Sequence, residues 1–132
     1  MTMIRYPFAP RFVPRIQSGT VLQTFRPRAL RHVRPGQQMR LVDDVRFVPI
    51  LTPDPVCAAV IPVEIGWTDD HITKIRQDGV ALLHLDSFAR DCGYDDIEDM
   101  AEDFTRCFGS GFLQGLLIEW VSPSVMAARE VA

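Results

Sequence analysis

A mixed α+β fold is predicted for this 132-residue chain by two observations. Over the first two-thirds, short segments rich in β-branched and aromatic residues alternate with proline, glycine and aspartate clusters, the pattern of a sheet built from short strands. In the last third the apolar period lengthens from two to about 3.6, and two capped helical segments precede a final apolar strand. Strands this short and numerous form a small β-barrel or a strongly bent sheet, here flanked by helices. The length and the 47% share of hydrophobic residues suit one domain over residues 1–132, with a core that needs neither disulfides nor metal.

Taken in order, Pro14 stands where a first helical turn tolerates it and Gly19 where a helix ends in a left-handed residue, so residues 13–18 read as a short helix. Residues 21–26 alternate Val21, Gln23 and Phe25 against Leu22, Thr24 and Arg26, a half-buried strand with Thr24 and Arg26 on one face. Residues 27–37 read as an arginine-rich loop closed by the Pro35-Gly36 turn. Residues 39–42 and 45–51 read as two strands around an Asp43-Asp44 turn, residues 58–67 as a long strand, and residues 72–83 carry a turn at Asp78-Gly79.

Asp86 is placed to cap a helix through Asp91 that ends near Gly93. Asp95 or Asp96 caps a second helix, Asp95 with Glu98 making an approximate capping box. Ile97, Met100, Ala101, Phe104 and Phe108 recur at helical spacing, with Asp99, Glu102, Asp103 and Arg106 off that stripe, until Gly109 stops the helix. Residues 112–121 read as a buried closing strand and residues 122–132 as a frayed tail.

Charge is unevenly distributed. Residues 1–50 hold nine arginines, no lysine and only Asp43 and Asp44, a balance of +7, whereas residues 51–132 hold five bases and fifteen acids, a balance of -10. A basic half in an acidic protein is the footprint of a phosphate-bearing ligand. The alternative is mutual neutralisation of the halves across an internal or oligomer interface. No apolar run of membrane-spanning length and no signal-like N-terminus occurs, so a soluble cytoplasmic protein with no membrane partner is expected. Cys57, Cys92 and Cys107 lack a C-x-x-C, which favours reduced thiols, and His32, His71 and His84 lack metal-ligand spacing, so neither metal nor cofactor is implied.

Phe12, Ile16, Gly19, Thr24 and Arg26 fill the spacing F-x-x-x-I-x-x-G-x-x-x-x-T-x-R, which resembles the signature segment of the ASCH domains, a family linked to RNA binding and RNA-directed chemistry. Ala89-Arg90-Asp91-Cys92-Gly93-Tyr94, then Glu98-Asp99-Met100, and the stretch from Gly111 to Trp120 resemble the back half of the small ASCH proteins of bacteria and phages. The resemblance thus runs along nearly the whole chain. It implies a PUA-like small β-barrel flanked by helices and RNA, a nucleotide or a modified nucleoside as partner. In the branch that hydrolyses acetylated cytidine it also implies a lysine two residues after the glycine, a threonine five after it and an acid from the later helical region. Those places hold Val21, Thr24 and Asp91 here, and valine cannot take a hydroxyl proton.

The candidate ligand-binding residues are Gly19, Gln23, Thr24 and Arg26, with Arg28, Arg31 and Arg34 at the mouth of a groove and Tyr6 as the aromatic residue freest to stack on an exposed base. Thr24 reads either as a nucleophile paired with Asp91 or as a strand threonine bonded to a neighbour. Arg26 reads either as a bidentate reader of phosphate or base edge or as half of an internal ion pair. Phe8, Phe12, Phe25, Trp67 and Trp120 read as core. The expected function is binding of RNA, a nucleotide or a modified nucleoside in a cleft between residues 19–26 and the later helices. Its rivals are a hydrolase, of N4-acetylcytidine amidohydrolase or ribonuclease type, and a phage accessory module that binds a host protein.

Overall fold

The computed structural model of the chain describes residues 3–28, 31–68 and 71–124. Its elements run β1 (Arg5–Phe8), a 3-10 turn (Pro10–Phe12), α1 (Val13–Gln17), β2 (Gln23–Pro27), β3 (Arg40–Asp43), β4 (Val56–Thr68), β5 (His71–Gln77), β6 (Val80–Ala81), α2 (Leu85–Asp91), α3 (Ile97–Phe108) and β7 (Gly111–Val121). The class is α+β. Five strands form an antiparallel sheet in the order β2-β7-β4-β5-β6, and β1 pairs with β3 in a separate parallel pair. Among the described residues no barrel closes, because β2 and β6 remain the two edges of the larger sheet. The two sheets meet where Gln38, just before β3, bridges Val56 at the start of β4.

The expected second strand over residues 45–51 does not form. The Asp43 carboxylate accepts from the backbone N–H groups of Val45 and Arg46 at 2.8 and 3.1 Å, an Asx-type turn that diverts the chain from the ladder. Only Pro49 returns, as a single bridge to Val42. Capping is also redistributed. Asp86 lies inside α2, whose N-cap is His84, and accepts instead from the Ile97 N–H at 3.0 Å, so it serves the start of α3. Asp96 caps α3 by accepting from the Asp99 N–H at 2.8 Å, while Asp99 accepts from the Asp95 N–H at 2.9 Å. Asp99 therefore takes the reciprocal place expected of Glu98. Of the tail, residues 125–132 lie outside the described residues, as do Ala29 and Leu30 of the arginine-rich loop.

The core runs between the sheets and α3, with Ile16, Met39, Leu41, Ile65, Ile75, Met100, Leu117, Ile118 and Trp120 almost wholly enclosed. Met100, Ala101 and Phe104 supply the inward stripe of α3, and Phe108 ends it half-exposed. Part of the charge asymmetry is spent internally. Arg11 pairs with Asp99 at 2.5 Å, Arg15 with Asp95 at 2.6 Å, and Arg40 with Asp54 at 2.8 Å. Arg15 also donates to the Gly93 carbonyl at 2.5 Å, so the first helical turn is tied to the α2–α3 junction. No helix among the described residues is long and apolar enough to cross a membrane.

Candidate functional site: an aromatic cleft around Arg26

Between β1, β2 and α3 lies a cleft of about 420 Å³. That falls within the usual range for small-molecule sites. Its walls are largely apolar: Phe8, Phe12, Phe25, Met100, Phe104 and Phe108 line it, joined by Thr24, Arg26, Tyr94, Asp103 and Arg106. Phe25 and Phe104 stack with ring centroids 5.7 Å apart and planes at 28°. This close approach requires Gly115 on the neighbouring strand, where a Cβ would overlap the Phe25 ring and lie 2.5 Å from the Arg26 carbonyl oxygen.

Arg26 is the centre of the arrangement. Its Nε donates to Thr24 Oγ1 at 3.1 Å and its Nη2 to the Pro7 carbonyl at 2.6 Å, while its Cζ stands 4.6 Å from the Phe8 ring centroid and 5.5 Å from that of Tyr6. No carboxylate pairs with it among the described residues. Desolvation in this enclosure lowers its pKa from 12.5 to about 10, so the guanidinium stays charged at neutral pH and carries an uncompensated charge.

Across the cleft, Tyr94 donates to Asp103 Oδ2 at 2.6 Å, and Arg106 donates to Asp103 Oδ1. Burial, then the hydrogen bond to the neighbouring carboxylate, push the Tyr94 phenol up, so it stays protonated and donating. Arg11 lies over the Phe12 and Tyr94 rings, at 4.8 and 5.3 Å, with its charge already paired to Asp99. Cys92 also lines the cleft, but burial pushes its thiol up to about 12, and Gln23 Nε2 donates to its sulfur at 3.3 Å. A thiol of that kind is no nucleophile at neutral pH. No group of His, Cys, Asp or Glu suited to hold a metal occurs among the described residues.

Of the residues singled out in the sequence, Thr24 and Arg26 share the cleft. Tyr6 is not an exposed platform. It is 3% exposed, stacked on His32, with its hydroxyl bonded to His32 Nδ1 and to the Val33 N–H, because β1 turns it inward behind the Arg26 guanidinium. Gly19 ends α1 at φ 82 and lies outside the cleft lining, its role conformational. Gln23 and Asp91 lie together with Glu119 in a separate shallow depression, so Asp91 and Thr24 are not brought to one pocket. Arg28, Arg31 and Arg34 are exposed and do not line the cleft, although Arg28 follows Pro27, which does. Val21, at the expected lysine position, is 1% exposed and packs in the core near Gly93. Lys74 lines a different depression with Glu64, Arg76 and Phe112.

Phe8, Phe12 and Phe25 belong to the core or pack against it, as expected, yet each also lines the cleft. Tyr94, Asp103 and Arg106 line the cleft although residue order does not single them out. Their signal was present, since Asp103 and Arg106 sit off the apolar stripe of α3, but helical spacing cannot say which polar residues border a cleft and which border solvent. Compared with protein-family models, curated proteins and solved structures, the chain shows no match.

Proposed function

We propose that this chain is a binding module whose cleft takes a nucleotide or modified nucleoside, free or within an RNA strand, and that it binds without strong catalysis. The observation that carries the reading is Arg26, a partly buried guanidinium with no carboxylate partner among the described residues, set in an aromatic-walled cleft. Such a charge costs stability in the empty protein, and a ligand anion offsets that cost. Nε and Nη2 each donate once within the protein, and the remaining N–H groups are left for the forked bonds a phosphate accepts. The aromatic walls suit a stacked base. The resemblance to ASCH domains supports the same reading, and a PUA-like barrel belongs to the proposal, supported by the element order and the Gln38–Val56 bridge between the sheets. Three free cysteines favour a reducing, cytoplasmic setting.

Hydrolysis through Thr24 is disfavoured by what surrounds it. Its oxygen accepts from a cation, its family lysine position is a buried valine, and Asp91 borders another depression. Among the described residues no base is hydrogen-bonded to the hydroxyl to activate it. The test is calorimetric titration with the four common nucleoside monophosphates and a single-stranded RNA oligonucleotide, beside an assay of acetate release from N4-acetylcytidine. Saturable, salt-sensitive binding without turnover, lost in Arg26→Ala, is expected. Acetate release abolished by Thr24→Ala would replace the binding module by a hydrolase.

A further inference from the structure

Besides Arg26 the cleft is lined by Arg11, which is paired with Asp99, and by Asp103 with its partner Arg106, so that among the described residues Asp103 is the one carboxylate in the lining. The Asp103 side chain, 22% exposed, lines the cleft from α3 and is held at both oxygens, by the Tyr94 hydroxyl on Oδ2 and by Arg106 on Oδ1, which the Cys107 thiol also approaches at 3.9 Å. A carboxylate has about four acceptor positions; Oδ2 keeps one for a further donor, and on Oδ1 the long thiol contact is weak enough for a base N–H to displace. Phe25, partly exposed, and Phe108, half-exposed, line the same cleft, apolar surface for the flat face of a base. A ligand that satisfies both charges needs an anion for Arg26 and, at another point, adjacent N–H donors for a carboxylate locked in one orientation.

We propose that Asp103 reads the base of the bound nucleotide and selects guanine. The inference rests on the cleft being a nucleotide site, with Arg26 at the phosphate. Guanine presents two neighbouring donors, N1–H and the 2-amino group, which match the two oxygens of one carboxylate in a bidentate pair. Adenine and cytosine each present an amino donor beside a ring nitrogen that is an acceptor, and that lone pair would face the second carboxylate oxygen. Uracil presents a single N–H flanked by two carbonyl oxygens, both repelled by a carboxylate. Tyr94 and Arg106 act as positioning residues, since each donates to one oxygen of Asp103 and so fixes its orientation.

The experiment compares guanosine, inosine, adenosine, cytidine, uridine and xanthosine 5′-monophosphates by calorimetry on the wild-type protein and on Asp103→Asn. Wild type should bind guanosine monophosphate at least about tenfold more tightly than the adenosine, cytidine and uridine compounds, the scale of one bidentate base contact. Inosine monophosphate, which lacks only the 2-amino group, should lose several-fold, a comparison that needs no variant and so survives any folding defect in Asp103→Asn. Asparagine offers one acceptor and one donor, so Asp103→Asn should reverse the preference from guanosine to xanthosine monophosphate, whose 2-oxo group accepts. Tyr94→Phe should keep the guanine preference at a smaller ratio. Nucleotide binding without base preference, or equal binding of guanosine and inosine monophosphates, overturns the role of Asp103 and leaves the nucleotide site standing. Failure of all the monophosphates to bind overturns both.

Discussion

Arg26 and Pro7 join the two sheets: Nη2 of Arg26, on the edge strand β2, donates to the carbonyl oxygen of Pro7 in β1 at 2.6 Å. The bond places a partly buried cation at the seam where the cleft opens, with Phe8 on one side and Thr24 on the other. Removing the charge tests whether the seam is structural or functional. Arg26→Met keeps much of the bulk, loses two hydrogen bonds and relieves the desolvation of an unpaired charge, so these effects nearly cancel and stability should change by only about 1 kcal/mol. Ligand binding should vanish. A fall of roughly 3 kcal/mol or more in a denaturant melt would point to a buried acid left without its partner.

The position expected to carry a lysine is closed to one. Val21 sits in the core beside Gly93, so Val21→Lys must bury an ammonium and should destabilise the fold by roughly 3 kcal/mol or more. Thermal melting with Val21→Met as the size control measures this. A variant that melts like wild type and releases acetate from N4-acetylcytidine would show that residue 21 can reach Thr24 after all.

Gly115 tests the aromatic wall. In Gly115→Ala the added methyl meets the Phe25 ring and the Arg26 backbone, and backbone cannot yield as a flexible side chain does. The expected cost is roughly 1–3 kcal/mol. Ligand affinity should fall in the surviving folded fraction because Phe25 and Arg26 shift together, and unaltered affinity would separate the β2–β7 register from the cleft.

Asp99 sets an acid limit on stability. Burial opposes its ionisation, but the Arg11 hydrogen bond and the Asp95 N–H outweigh burial and hold its carboxyl below the ordinary 3.8. A carboxyl whose folded pKa is lowered contributes stability that is fully present above the unfolded value and lost as pH falls through the folded one. The pair is partly exposed, so solvent screening limits the effect to about 0.5–1 kcal/mol. Asp99→Asn should therefore melt below wild type at neutral pH and converge with it as pH falls well below the ordinary 3.8. A constant gap across that range would assign the loss to the altered cap alone.

Arg28, Arg31 and Arg34, exposed and outside the cleft, separate an RNA strand from a free nucleotide as ligand. Changing all three to alanine should leave mononucleotide affinity unaltered. If a strand runs over them, the logarithmic salt slope for single-stranded RNA should flatten by roughly 2, at about 0.7 for each phosphate that is no longer neutralised. An unchanged slope removes the loop from the binding surface.

Local pattern determined much of this protein. The 3.6 period of Met100, Ala101 and Phe104 orients α3, Gly109 stops it, and the alternation around Thr24 and Arg26 brings those two side chains into one cleft. These features depend on neighbours in the chain, which is why residue order alone reveals them. What tertiary structure decided depends on partners far apart. Asp86 caps the next helix, Asp43 folds its own loop, and Tyr6 turns inward, where its hydroxyl bonds His32 Nδ1 and accepts from the Val33 N–H. The fate of each arginine was decided the same way. Arg11, Arg15 and Arg40 meet carboxylates supplied by later segments, whereas Arg26 meets Thr24, the Pro7 carbonyl and aromatic rings. A guanidinium binds carboxylate and phosphate with the same fork, so only the packing of β1, β2 and α3 around Arg26 distinguishes an arginine already paired within the protein from one whose charge is left for a ligand.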